Sequence, residues 1–188
     1  MKKIEPNKFR TPVFYLLLLA LLIVVYAPAI NGPFIFDDKP DIEGNPFIKH
    51  SMASAILKNP FRSITYLSYY ANYKLADLSS TCFRITNILI HLMNVILLSK
   101  VVGVLRPNDK LSQLLSAGIF CISPFSTSTV NYISARSTLL ATMFGLLAIL
   151  SSLKMINGNN SIKCGFVALV SYIFALESKE SAAAISPS

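Results

Sequence analysis

The stretch CFRITNILIHLMNVILLSKVVGVL, residues 82–105, decides the fold class, because it combines a long apolar run with a periodic polar stripe. At 1.5 Å per helical residue it is long enough to cross the roughly 30 Å hydrocarbon core of a bilayer. The polar residues follow one another at steps of three, four and three, so they share one helical face: Arg84, Asn87, His91 and Asn94. In lipid this face points toward other helices, where interhelical hydrogen bonds contribute about 0.6–2 kcal/mol each. The stretch therefore predicts a transmembrane helix inside a bundle.

The composition of the whole chain also indicates a membrane protein. Of its 188 residues, 53% are hydrophobic and only 14% are charged, whereas a soluble domain carries nearer a quarter charged. The sequence has no Gly-rich phosphate loop, Cys-x-x-Cys pair or His-rich metal pattern, and we therefore expect no metal site. Cys82, Cys121 and Cys164 fall within or beside apolar segments at different predicted depths, so disulfides are not expected.

Five apolar segments predict five transmembrane helices, because unpaired backbone groups are too costly in lipid. The predicted spans are about 13–30, 82–105, 111–125, 132–156 and 162–176, with one large outer loop over residues 31–81. In that loop, residues 51–57 suit a short helix, and the tyrosine-rich segment 61–78 suits the headgroup region. We expect an all-α integral membrane protein with a single membrane domain over residues 1–188.

A cleaved signal peptide is the alternative for the first segment, because Ala27-Pro28-Ala29 resembles a small-x-small cleavage site. The apolar run is long for a signal core, and Pro28 is awkward so near a cleavage bond. These two features favour a retained first span.

The charges between the spans predict the orientation. If the N-terminus is cytoplasmic, the inner segments are 1–12, 100–110 and 154–163, where basic residues dominate and the acids are Glu5 and Asp109. This distribution agrees with the positive-inside rule. The formal net charge of +8 therefore reflects topology, and we expect membrane lipid rather than nucleic acid as the surroundings of this multi-pass protein.

In this topology the outer boundary gathers the candidate functional residues. They are Asp37, Asp38, Arg84, Arg136, Lys179 and Glu180, with Glu177 beside the last two. A carboxylate can take the proton from an attacking hydroxyl, and cations can stabilise a leaving phosphate. The face therefore suits transfer from a lipid-linked phosphate donor.

Each of these residues also has a structural interpretation. Asp38 suits the N-cap of a helix with Pro40 in its first turn and Asp41 at the third position. Arg136 suits a cation that extends to the membrane interface, although its planar guanidinium would equally bind phosphate. The run from Glu177 to Ser181 suits an interfacial charge cluster.

Four stretches, in order, carry a resemblance to a known family. They are FIFDDKPDIEGNPFI (34–48), RSITYLSYYANYKL with FRITNILIHLMNVILL (62–75 and 83–98), SPFSTSTVNYISARSTLLATMFGLLAIL (123–150) and LESKESAAAISP (176–187). They resemble motifs of the membrane glycosyltransferases of the GT-C fold, which use polyprenyl-phosphate sugars. The closest similarity is to the protein O-mannosyltransferase-like family that carries tetratricopeptide repeats after its membrane domain.

The resemblance implies that one of Asp37 and Asp38 is the catalytic carboxylate, and that Arg136, Lys179 and Glu180 belong to the donor site. It implies transfer of a sugar, with mannose as the candidate, from a polyprenyl-phosphate donor to a hydroxyl of a protein or glycan on the non-cytoplasmic side. The donor is a substrate, and no other cofactor is expected.

The chain departs from the family pattern in three ways. Ser123-Pro124 stands where the family has His-Pro, and the family has an acid near Ser128. Family members also have further spans and the repeats, so we expect a truncated product, a fragment or part of a split enzyme whose partner supplies the missing spans. The alternative function is an inactive membrane protein that packs against a partner. A transporter is weaker, because no discontinuous helix pair is evident.

Overall fold

The computed structural model describes residues 10–158 and 161–179, and its regular elements in these ranges are helices without strands. The α-helices are α1 (Arg10–Tyr26), α2 (Phe47–His50), α3 (Met52–Lys58), α4 (Ser63–Ala76), α5 (Ser80–Leu105), α6 (Lys110–Ile122), α7 (Pro124–Asn131), α8 (Arg136–Ile156) and α9 (Ser161–Ser178). A π-helical turn covers Lys39–Glu43, and 3₁₀ turns cover Ala27–Ala29, Pro60–Arg62 and Ile133–Ala135. The predicted all-α class is confirmed for the described part of the chain.

Polar side chains cap the starts of α3, α5 and α6. Ser51 and Ser54 form a reciprocal capping box at the start of α3, which confirms the short helix predicted for residues 51–57. Asp109 accepts hydrogen bonds from the amide and the hydroxyl of Ser112 at the start of α6. These bonds lower the pKa of Asp109, because they favour the ionised carboxylate.

Two helical segments among the described residues are long and apolar enough to cross a membrane, fewer than the five predicted spans. They are Ser80–Leu105 and Ile133–Ile156, the second being α8 with its preceding turn. The first predicted span divides at Tyr26 because a 3₁₀ turn containing Pro28 follows α1. The third divides because Pro124 starts a separate helix, so α6 has 13 residues and is only about 20 Å long.

The predicted outer loop over residues 31–81 is not an open loop, because it contains α2, α3, α4 and the first residues of α5. Apolar side chains of this segment form a core with the start of α5 and the turn before α8. The members of this core are Phe34, Ile42, Ile48, Ala55, Tyr66, Tyr69, Phe83 and Ile133. The packing brings the chain after α1 against the α7–α8 connection, although nearly a hundred residues separate them in sequence.

The polar stripe of α5 is buried among its neighbouring helices, as predicted. Asn87 donates to a backbone carbonyl of α7 at 3.2 Å, and Asn94 donates to one of α8 at 3.0 Å. His91 Nε2 lies 3.4 Å from a carbonyl of α6, and its ring packs between two aromatic rings. The expectation of interhelical hydrogen bonds is therefore confirmed for Asn87, His91 and Asn94, and the stripe holds α5 at the centre of the bundle.

Candidate functional site

The two adjacent carboxylates of Asp37 and Asp38 have different surroundings. Asp38 is fully buried, and its Oδ1 accepts from the amide and the hydroxyl of Ser134, both at 2.7 Å. Its Oδ2 accepts from the amide of Ile35 at 3.3 Å. Asp38 makes no capping hydrogen bond to the turn that follows it, so the N-cap interpretation is wrong. Its carboxylate instead ties the segment after α1 to the turn before α8.

Asp37 has an exposed side chain. Its backbone amide donates to the hydroxyl of Tyr132 at 3.1 Å. The residue before it, Phe36, has a φ of +46° and is 81% exposed. Its ring lies edge-on to that of Tyr132, with 6.5 Å between centroids. Of the two acids, Asp37 is therefore the one whose carboxylate can meet a substrate.

Two open cavities share Ile35 and Phe36 in their linings. The larger, of about 720 Å³, is lined by residues 33–36 with Lys39, Glu43, Leu78 and Ser80. The other, of about 460 Å³, is lined by Ile35, Phe36, Ser128, Thr129, Asn131, Tyr132 and Ala135, and its walls are mostly apolar. Asp37 lines neither cavity, but its exposed carboxylate directly follows Phe36, which lines both.

Arg84 is buried and binds the protein's own backbone. Its two terminal nitrogens donate to the carbonyls of Gly32 and Pro33, and its Nε donates to the carbonyl of Asn131 at 3.3 Å. A Cβ at Gly32 would lie 3.4 Å from the guanidinium, which indicates how closely the turn and Arg84 pack. Arg84 therefore joins the turn after α1 to α5 and α7.

Arg136 is also fully buried. Its Nε donates to Asn87 Oδ1 at 2.7 Å, and its Nη2 donates to the carbonyl of Phe83 at 2.9 Å. Its Nη1 donates to Asn72 and Ser68, on α4. The guanidinium carbon lies 4.8 Å from the ring centroid of Tyr69 and 5.3 Å from that of Phe83. In this structure Arg136 therefore joins α4, α5 and α8 and lines neither cavity beside Phe36.

Lys179 follows the end of α9 and donates through Nζ to the hydroxyl of Thr138, on α8, at 2.9 Å. Two further bonds fix this end of α9. Glu177 accepts from the hydroxyl of Ser63 at 2.6 Å, and the carbonyl of Ser178 accepts from the hydroxyl of Thr65 at 3.0 Å. Glu180 lies outside the described residues.

The partners that hold these charged side chains were not predicted from the sequence. Tyr132 and Ser134 lie in the motif quoted for residues 123–150, but nothing in their spacing indicated contact with the acids. The α4 residues that accept hydrogen bonds from Arg136 are Ser68 and Asn72, which are four residues apart and share a helical face. The ring of Tyr69 lies on the same face. Burial raises the pKa of Tyr69, and its hydroxyl donates to the carbonyl of Ile133 at 3.2 Å.

Metal binding has no candidate in the part of the chain that the structure describes. No group of three His, Cys, Asp or Glu side chains there could hold a metal ion. The arrangement that remains is an exposed carboxylate beside two cavities, held by a buried polar network.

Comparisons with known proteins identify relatives of one kind. No family model matches the chain, and no solved structure matches it significantly. A protein O-mannosyl-transferase of Caenorhabditis elegans is 30% identical over 182 residues, which cover 88% of this chain and 26% of the relative. Protein O-mannosyl-transferase TMTC3 of Mus musculus is 25% identical over 175 residues, 85% of this chain and 19% of the relative. Protein O-mannosyl-transferase TMTC4 of Homo sapiens is 26% identical over 169 residues, which cover 75% of this chain and 23% of the relative.

The chain thus spans about a quarter or less of the length of these relatives. The similarity nevertheless covers most of this chain, and all three relatives are named protein O-mannosyl-transferases. These findings confirm the resemblance that the motifs indicate: the chain is a homologue of part of the protein O-mannosyl-transferases.

Proposed function

We propose that this chain forms part of a membrane glycosyltransferase that moves mannose from a polyprenyl phosphate to a hydroxyl group on the non-cytoplasmic side. The observation that carries the proposal is the exposed carboxylate of Asp37 next to Phe36, a residue that lines two cavities, in a chain whose relatives are named protein O-mannosyl-transferases.

We propose five membrane spans, with α1, α6–α7 and α9 completing the set that α5 and α8 begin. The support is a series of large apolar side chains exposed along the shorter helices, which a monomeric soluble protein rarely shows over so wide an area. They include Leu16, Leu17 and Val24 on α1, Leu111, Leu115 and Ile119 on α6, and Ile162, Phe166 and Leu169 on α9. Lipid would cover these side chains.

In the proposed reaction Asp37 accepts the proton of the acceptor hydroxyl. The hydroxyl oxygen then bonds to the anomeric carbon, the bond from that carbon to the phosphate oxygen breaks, and the polyprenyl phosphate leaves with the electron pair. A positioned general base contributes about 10²–10⁴-fold to such a step. The larger cavity, which carries Lys39 and Glu43, suits a polar acceptor, and the more apolar cavity suits the lipid donor.

The three cations predicted for substrate binding need a modified role. Because Arg84, Arg136 and Lys179 donate to protein acceptors, we propose that they hold the walls of the donor site rather than touch the phosphate. Glu180 stays a prediction from the resemblance. Lys39 is exposed and lines the larger cavity, where it is a candidate to bind the polar acceptor.

A second candidate function is a packing protein without activity. The hydrogen bonds of the three cations favour this function, because cations that bind only protein groups leave few positive charges to bind a donor. Membranes that contain the complete natural polypeptide separate the two functions. Incubated with a polyprenyl-phosphate donor carrying tritiated mannose, they should transfer label to protein hydroxyl groups. Transfer that is equal in membranes lacking the polypeptide would favour the packing protein.

Cysteine labelling tests the proposed orientation. In a variant without native cysteines, a Cys introduced at Leu75, an 81% exposed residue of α4, should react with an impermeant maleimide added outside intact cells. A Cys at Asn159 should react only after permeabilisation, because it lies in a basic segment placed inside. Outside labelling at Asn159 would show that the proposed topology is wrong.

A further inference from the structure

The turn that presents Asp37 has an unfavourable backbone conformation. Phe36 has a φ of +46°, in the left-handed region that glycine occupies readily and bulky residues avoid. Such a conformation persists only where the surrounding structure over-determines it. The contacts that do so here are identifiable.

Both residues that follow Phe36 are held by the α7–α8 connection. The amide of Asp37 donates to Tyr132 Oη, and Asp38 Oδ1 accepts from the amide and the hydroxyl of Ser134. On the other side, the amide of Ile35 donates to Asp38 Oδ2. We call Tyr132 and Ser134 the clamp, since they fix the turn from a segment 95–96 residues away in sequence.

We propose that Tyr132 and Ser134 are positioning residues, which hold the turn at Phe36 in its strained form and thereby fix the position of the Asp37 carboxylate beside the residue that both cavities share. The inference rests on the proposed function for its catalytic meaning. It divides the acidic pair: Asp38 is a buried anchor for the clamp, and Asp37 is the group that meets the acceptor.

The clamp also links two parts of the site. Tyr132 lines the apolar cavity, its ring faces Phe36, and its hydroxyl holds the amide of Asp37. Whatever fills that cavity therefore contacts the residue that aims the base. Without the hydroxyl, the Asp37 amide has no partner in the described contacts, although the bonds from Ser134 to Asp38 remain. The amides of Asp38 and Lys39 also still donate to the carbonyls of Ile35 and Phe36. The turn should therefore enter relaxed forms more often than in the wild type.

Tyr132→Phe tests the clamp in the complete natural polypeptide, because it removes the hydroxyl and keeps the ring beside Phe36. It should lower kcat about 2- to 12-fold, the population change that corresponds to the loss of one intramolecular hydrogen bond, with a smaller change in KM for the donor. Hydrogen exchange in a peptide covering residues 34–40 should rise. Adding Phe36→Gly should restore much of kcat, since glycine adopts positive φ without strain.

The controls keep failure of the clamp separate from failure of the proposed function. Tyr73→Phe is the matched control, because the ring contact of Tyr73 with Lys74 needs no hydroxyl, and it should leave kcat and exchange unchanged. Unchanged exchange in Tyr132→Phe overturns the clamp. Raised exchange with normal kcat overturns its positioning role, provided that Asp37→Asn is inactive. A fully active Asp37→Asn variant means instead that the proposed function has failed. In that case the hydrogen exchange of residues 34–40 alone tests whether the clamp holds the turn.

Discussion

Asp37→Asn should lower the turnover of the complete natural polypeptide by about 10²–10⁴-fold, the usual contribution of a positioned general base. The amide keeps the size of the carboxylate but cannot take a proton from the acceptor. Because the Asp37 side chain is exposed, the substitution removes no buried contact and the protein should fold normally. Transfer of tritiated mannose from a polyprenyl-phosphate donor, measured at saturating donor, gives turnover directly.

Asp38→Asn should have a much smaller effect, at most about 10-fold, which tests the different roles of the two acids. An amide at this position still offers one oxygen to the Ser134 amide and hydroxyl, and loses mainly the acceptor for Ile35. Asp77→Asn, a change at an exposed acid after α4, is the matched control and should be neutral. A larger loss of turnover in Asp38→Asn than in Asp37→Asn would contradict this assignment.

Arg136→Met should strongly destabilise the protein, which is the second large effect expected. The substitution leaves buried oxygens of Asn87, Asn72 and Phe83 without their donors. An unsatisfied buried polar group costs about 1–3 kcal/mol, so the loss should reach about 3 kcal/mol or more. For a domain of this size that corresponds to a fall in Tm of roughly 6–12 °C. Thermal unfolding in detergent, followed by size-exclusion chromatography, measures it.

Two further variants separate a structural Arg136 from one that binds phosphate. The Tm of Arg136→Lys should lie between those of the wild type and Arg136→Met, because one ammonium group cannot reproduce the planar set of donors of a guanidinium. Arg106→Met is the matched control, since Arg106 is an exposed cation whose partner is Asp109, at 3.7 Å. It should barely move Tm. An Arg136→Met variant with normal Tm and weakened donor binding would instead restore the direct phosphate role.

The local features of the fold were predictable because their signals are periodic or lie next to the residues they affect. The polar stripe on α5 has helical spacing, and its burial follows from the apolar residues around it. Residues 51–57 carry their own capping signal. Pro28 was included within the first predicted span, where it breaks the helix. Pro124 was expected to end the third span, and in the structure it also starts a separate helix.

The hydrogen-bond partners of the charged side chains were not predictable, because these bonds join residues that are far apart in sequence. A guanidinium can bind phosphate or fill a buried polar core, and only the position of α4 decides this for Arg136. Likewise, Asp38 looked like a helix cap until Ser134 supplied its partner. The exposed side chain of Asp37 follows from the same packing, since adjacent residues in a held turn point different ways.

The attachment of α9 to α4 has a consequence for biosynthesis. The hydroxyl of Thr65 donates to the carbonyl of Ser178, 113 residues later, and Ser63 donates to Glu177, 114 residues later. At about 5–20 residues per second, the ribosome needs roughly 6–23 s to make the second partner after the first. During that interval these two hydroxyls lack the acceptors that they have in the folded chain. The segment around α4 should therefore stay sensitive to protease added to nascent chains arrested before Glu177, and become resistant only after α9 has emerged.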